Sequence, residues 1–174
     1  MRFLILLLII AAASGCGNRN IEELSIQSER ITEGNDGSIV LHLKEAYLLQ
    51  DSIHPDMNTA EWAFSISHKG RYELWLSSFT KDTMDLDYQY PVIIHFQDKK
   101  IQARPIGNEI VLDTPDTGGV YYRADSRLGS VYIEEPGDYN IQIVSAKVIS
   151  NDLASDSDKS HTQLKSLILK PMTD

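Results

Sequence analysis

The chain has 174 residues, of which 42% are hydrophobic and 24% charged, and its formal net charge is −9. That length suits one domain with a real core. The acidic balance counts against a reader of phosphate backbones and against an electrostatic binder of anionic lipid, since both need basic patches. The carboxylates are scattered, which reads as a solubilising surface.

At the N-terminus, Arg2 precedes an apolar run from Phe3 to Ala13, too short for the roughly 20 residues of a spanning helix. Ala13-Ser14-Gly15-Cys16 follows, and Cys16 is the only cysteine of the chain. Small residues leading into a cysteine directly after such a run resemble a bacterial lipobox. The resemblance implies cleavage before Cys16 and acylation of its thiol and new amino group. Residues 1–15 are then a signal peptide and residues 16–37 a lipidated tether. The alternative is an ordinary secretory signal in which Cys16 is incidental. Acyl chains at ~0.8 kcal/mol per buried methylene hold such a protein firmly to a membrane. Gly17 stands where an aspartate marks retention in the inner membrane, so the resemblance favours the outer membrane of a cell envelope. A single cysteine leaves no intramolecular disulfide.

Residues 17–37 are polar and read as a tether; Ile21, Leu24 and Ile26 leave a short helix or edge strand open. The folded domain is expected over 38–174. Ile39, Leu41 and Leu43 alternate with Val40, His42 and Lys44. Gln50 to Asn58 reads as a loop around His54-Pro55-Asp56. Glu61 to Ser78 gives the clearest pattern: Trp62, Phe64 and Ile66 share one face, and Tyr72, Leu74 and Leu76 share another. Two strands joined through His68-Lys69-Gly70-Arg71 as a hairpin are expected, with the glycine supplying a positive φ. Thr80 to Tyr90 is acidic and irregular. Val92, Ile94 and Phe96 alternate with Ile93, His95 and Gln97. Asp98-Lys99-Lys100 turns into Ile101 to Arg104, and Asn108 to Asp113 is a short strand. Thr114 to Gly119 is a turn, and Val120 to Arg123 is extended. In Leu128 to Glu134, Val131 and Ile133 point inward. Glu135-Pro136-Gly137-Asp138 is a turn in which glycine permits a left-handed corner. Tyr139, Ile141 and Ile143 alternate, Asn151 to His161 is a polar loop, and Leu164, Leu167 and Leu169 precede Pro171. About ten short strands with turn signals every ten residues or so predict an all-β sandwich or jelly roll.

No catalytic constellation is legible. The histidines His42, His54, His68, His95 and His161 lack metal-ligand spacing. Asp152, Asp156 and Asp158 lack the glycine and closing glutamate of a calcium loop. No G-x-S-x-G is present, and Glu134 and Glu135 are neighbours on a strand end.

Taken in order, Gly37-Ser38-Ile39-Val40-Leu41, Glu45-Ala46-Tyr47-Leu48, the strand of Trp62, Gly70-Arg71-Tyr72-Glu73-Leu74-Trp75-Leu76, Leu128-Gly129-Ser130-Val131-Tyr132-Ile133, Pro136-Gly137-Asp138-Tyr139 and Leu167-Ile168-Leu169-Lys170-Pro171 resemble the galactose-binding-like β-sandwich. The likeness is to the carbohydrate-binding-module-like domains beside bacterial glycosidases and sulfatases. It covers most of Ser38 to Pro171 and speaks for fold more than ligand. It implies sugar binding on loops or on one sheet face. It also implies a structural calcium, but Lys165 and Ser166 stand where the acidic ligand is expected, so no metal or other cofactor is expected.

A sugar binder needs an aromatic plane and a few directional polar groups. The residues suited to this are Trp75, Tyr88, Tyr90, Tyr121, Tyr122 and Arg123. Trp75 is either a platform on the outer side of its strand or ordinary core, and the tyrosines are either a rim or loop anchors. The reading is a non-catalytic envelope lipoprotein that holds carbohydrate, or a glycan-handling partner, near the membrane, with no nucleic-acid partner. The alternative is a structural or assembly subunit of an envelope complex. A glycan-active enzyme is the third reading.

Overall fold

A computed structural model of the chain describes residues 30–112, 121–149 and 162–172. The signal, the lipobox with Cys16 and most of the tether lie outside the described residues. So do the turn Thr114–Gly119, Val120 and the loop Asn151–His161 with its three aspartates.

Ten strands are formed among the described residues. They are β1 (Ile39–His42), β2 (Tyr47–Leu49), β3 (Thr59–Ile66), β4 (Gly70–Thr80), β5 (Val92–Phe96), β6 (Lys99–Ala103), β7 (Glu109–Val111), β8 (Tyr122–Ile133), β9 (Gly137–Val144) and β10 (Thr162–Pro171). One sheet has the order β1-β10-β4-β8-β7, the other β2-β3-β9-β5-β6, and every pairing is antiparallel. This is the expected all-β sandwich. Each sheet is dry on its inner side, and period-two alternation delivers the apolar residues there. Trp62, Phe64 and Ile66 of β3 face Tyr72, Leu74 and Leu76 of β4, and all six are buried. Val131 and Ile133 also point inward, as expected.

The central pair is not a hairpin. β3 lies in one sheet and β4 in the other, so residues 67–69 carry the chain around the end of the sandwich. Gly70, at φ 151, sits at this corner. Glu134 to Pro136 make a second corner of the same kind, from β8 to β9. Gly137 there does not adopt a positive φ and instead opens β9. The stretches Val120–Arg123 and Leu128–Glu134 are parts of a single twelve-residue strand, β8. A bulge interrupts it where Leu74 pairs Gly129 but Trp75 pairs Arg127. Gly129, at φ 155, brings its backbone against the facing sheet; a Cβ there would lie 3.3 Å from Ile101 Cγ2. A side chain would push the sheets apart at the bulge.

The body reaches further toward the N-terminus than Ser38. Ile31 bridges Phe64, and Arg30 pairs with Asp138. Glu33 is the clasp. Its nearly buried carboxylate accepts hydrogen bonds from the Ser67 N–H (3.0 Å) and the Tyr72 hydroxyl (3.3 Å) and faces His68 Nδ1 at 3.2 Å. Burial opposes the charge, but the bonds from Ser67, His68 and Tyr72 outweigh it and hold Glu33 below the ordinary carboxylate range. Burial first, then the Glu33 charge, pushes Tyr72 up to about 12, so its hydroxyl stays a donor. Because the folded pKa is lowered, the clasp contributes above the unfolded value of about 4.3 and is lost as pH falls through the folded one. The protection factors of the Ser67 and Ile31 amides, the intrinsic rate at each pH divided by the observed one, should therefore fall at acid pH. In Glu33→Gln they should be low already at neutral pH and unchanged by acid. Protection that is equally high at both pH values would refute the clasp.

Candidate functional site

The outer face of the β1-β10-β4-β8-β7 sheet departs from plain alternation. In β4, residues 74 to 78 are all buried, although alternate ones point outward. Trp75, Ser77 and Phe79 are the outward set. Register places Ile168, Ser166 and Gln163 of β10 on one side of them and Arg127, Asp125 and Arg123 of β8 on the other. Val40 and His42 of β1 flank Ile168 and Ser166. No third sheet covers this face among the described residues. Its cover is its own long side chains. Lys170 Nζ lies 4.3 Å from the Trp75 ring centre, Lys165 Nζ 4.8 Å from Phe79, and Lys81 Nζ 5.1 Å from Tyr121. Such contacts are worth only about 0.5–1 kcal/mol at exposed sites.

Three of the residues expected from sequence meet on this face, Trp75, Tyr121 and Arg123. Tyr121 packs against Phe79 with ring centres 6.5 Å apart and planes 31° apart. Arg123 Nε is 3.4 Å from Asp125 Oδ2. Trp75 offers no open plane: it is 8% exposed, and its indole N–H donates to Glu73 Oε2 at 3.0 Å. That bond first, and then Arg127 at 2.7 Å, holds the Glu73 carboxyl below its usual range despite desolvation.

The other three tyrosines go elsewhere. Tyr88 is a buried plug of the core, with its hydroxyl 2.9 Å from Ser78 Oγ. Burial pushes that hydroxyl's pKa well up. The irregular stretch 81–91 folds inward here because Leu86 and Tyr88 can both be buried. Arg104 pins it by donating to the Tyr88 carbonyl at 3.0 and 3.1 Å. Tyr90 is 59% exposed and Tyr122 41% exposed. Tyr122 pairs with Thr80, on the inner-facing parity, and lies beyond the end of the core.

Sequence reasoning missed Phe79, Asp125, His42 and the lysines. Across the sheet, His42, Ser166, Ser77 and Asp125 form one row. The last three are each at most 3% exposed although they lie on an outer face. Within and beside this row His42 Nδ1, Arg123 Nε and Asp125 Oδ1 are buried without a hydrogen-bond partner among the described residues, Arg123 Nε having only its ion pair with Asp125. Buried polar atoms are seldom left so, because each costs its desolvation. No group of three or more His, Cys, Asp or Glu among the described residues could hold a metal. At the position where a calcium ligand is expected, Ser166 belongs to the buried row and Lys165 covers Phe79.

A cleft of about 350 Å³ opens where this face turns toward β2. His42, Lys44, Phe79, Gln163 and Lys165 supply its polar and aromatic lining, and Leu43, Leu48 and Ile149 line it with apolar surface. The volume falls at the lower end of the roughly 300–1,000 Å³ range of small-molecule sites.

No protein-family model matches the chain, and no curated protein matches it. Solved structures do. An α-L-fucosidase from Vibrio sp. strain EJY3 superposes with a TM-score of 0.62 at 19% identity, over 82% of this chain and 24% of the fucosidase chain. A GH26-CBM35 β-(1,4)-mannanase from Podospora anserina gives a TM-score of 0.46 at 13% identity, over 80% of this chain and 28% of that one. The chain spans about a quarter of the fucosidase, and at this identity the likeness is one of fold alone.

Proposed function

We propose that the chain is a non-catalytic envelope lipoprotein, lipidated on Cys16, whose sandwich grips carbohydrate on the outer face of the β1-β10-β4-β8-β7 sheet. The observation that carries the reading is the Phe79–Tyr121 ring pair, with Phe79 lining a cleft, set near the buried His42 Nδ1 and Asp125 Oδ1, which have no hydrogen-bond partner among the described residues. The rings suit the C–H face of a sugar, and the polar side chains that line the cleft, His42, Lys44 and Lys165, suit its polar groups. The fold of the fucosidase neighbour is compatible with this role. Placement supports tethering too. The arm from Arg30 enters at the corner end of the sandwich, beside Ser67 and Tyr72. Phe79 lies seven residues further along β4, roughly 25 Å away at ~3.3 Å per residue. A chain anchored through Cys16 would hold its ligand away from the membrane. Among the described residues no helix is long and apolar enough to cross a membrane.

Retention of the full chain on a glycan array tests the reading, with Phe79→Ala and Tyr121→Ala as variants and Tyr122→Ala as control. Losing one stacking ring removes about 1 kcal/mol, or about fivefold in affinity, while the control is unchanged. Unchanged retention by stable Phe79 and Tyr121 variants would place the site elsewhere. Mass spectrometry of Cys16 tests the anchor: an unmodified thiol rules it out.

The second reading, an assembly subunit, draws on the loops at the opposite end from the arm. Ile53, Met84, Ile106 and Leu112 are 79%, 93%, 67% and 62% exposed there, an apolar rim that suits a protein partner. One dominant protein adduct on cross-linking in intact cells, together with an empty glycan array, would favour it.

A further inference from the structure

The geometry points to an acidic sugar, one bearing a carboxylate or sulfate, as the ligand of the cleft beside Phe79; this deepens the carbohydrate reading and rests on it. The chain carries a net charge of −9, yet no carboxylate lines this cleft among the described residues, whereas Lys44, Lys165 and His42 do. A neutral sugar does not call for that local reversal of charge. The face beyond the cleft continues it: Lys81, Arg123, Arg127, Lys165 and Lys170 are set against Glu73, Glu109 and Asp125 on the same side of the sheet.

Two of those carboxylates are already engaged. Glu73 is bonded to Arg127, and Asp125 is paired with Arg123. Among the described residues the cleft lysines are not held by buried partners. Lys44 Nζ is 3.9 Å from Glu45, an exposed pair at the limit of an ion pair, and such pairs contribute little. Lys165 rests over the Phe79 ring. A lysine lying on an aromatic plane is an arrangement a ligand can exchange into. Its flexible stem lets the ammonium swing aside, so the ring takes the sugar face while the same ammonium meets the acid group. Leu43, Leu48 and Ile149, which also line the cleft, accept the apolar edge of the ring. The long-range field of an acidic protein repels polyanions, so capture of one must come from this local surface.

Affinity electrophoresis of the full chain through gels containing polygalacturonate, a sulfated galactan or a neutral galactomannan tests this. Retardation by one or both acidic polymers is expected, and which of them acts identifies the acid group. Lys44→Gln and Lys165→Gln should each weaken that retardation roughly tenfold, the loss of one charge-assisted hydrogen bond. Lys69→Gln, at the far end of the sandwich, should leave it unchanged. The weaker retardation expected with the neutral polymer should survive in Lys165→Gln, where Phe79 is uncovered. Equal retardation by neutral and acidic polymers, or acidic retardation untouched by both cleft variants, overturns the acidic ligand while leaving carbohydrate binding in place. No retardation in any gel overturns both.

Discussion

Trp62→Ala should cost about 3–5 kcal/mol of stability, the range for removing a large aromatic from a packed core. Trp62 is 2% exposed at the centre of β3, where it pairs with Ile141 of β9. Its ring fills space between the sheets, and its indole N–H donates to the His42 carbonyl at 2.8 Å. That bond ties the second strand of one sheet to the edge strand of the other. Trp62→Phe separates the two roles. It keeps most of the apolar volume but leaves the His42 carbonyl without its donor, so a smaller cost of about 1–3 kcal/mol is expected. Urea melts give both numbers. Trp75, the other of the two tryptophans in the chain, reports the transition in either variant. His42 also lines the cleft, so the phenylalanine variant should weaken glycan retention while remaining folded. A phenylalanine variant as costly as the alanine one would mean that the hydrogen bond, and not the volume, dominates.

Faces were legible in the sequence and sheet membership was not. Trp62, Phe64 and Ile66 announce one dry face, and Tyr72, Leu74 and Leu76 another, because alternation reports burial of one side whichever sheet a strand joins. A hairpin and a corner between two sheets bury the same residues. The short polar turn at 67–69 does not distinguish them, so the pair was expected in one sheet. The site was half legible for a related reason. Trp75, Tyr121 and Arg123 stand out by residue type, but their neighbours are set by register between strands distant in the chain. Ser166, Ser77 and Asp125 come together from three strands, and no local pattern marks them. Phe79, alone after two serines, reads as the end of a strand. Tyr88 was misleading in the opposite way. It sits in an acidic stretch that looks solvated, yet Leu86 and Tyr88 turn that stretch into part of the core.

Arg123→Met should destabilise the protein by about 2–3 kcal/mol, and the reason bears on function. Breaking a buried ion pair from one side costs about 3–5 kcal/mol because it strands a charge. Arg123 is itself a third exposed, whereas the Asp125 side chain is 4% exposed, so the lower figure applies to the arginine. The pair is imperfect, with Nε 3.4 Å from Oδ2 and no partner for Oδ1. Replacing both by apolar residues, Arg123→Met with Asp125→Leu, should therefore recover most of the loss and bring stability close to that of the native chain. A double-mutant cycle measured by thermal melts reads this as a strong favourable coupling; simple additivity of the two single losses would show that the groups act independently. If the pair is kept for its ligand and not for the fold, the recovered double variant should be stable yet fail to retain glycan. A double variant that still binds would separate the buried pair from the site and leave the aromatic rings and cleft lysines to hold the sugar by themselves.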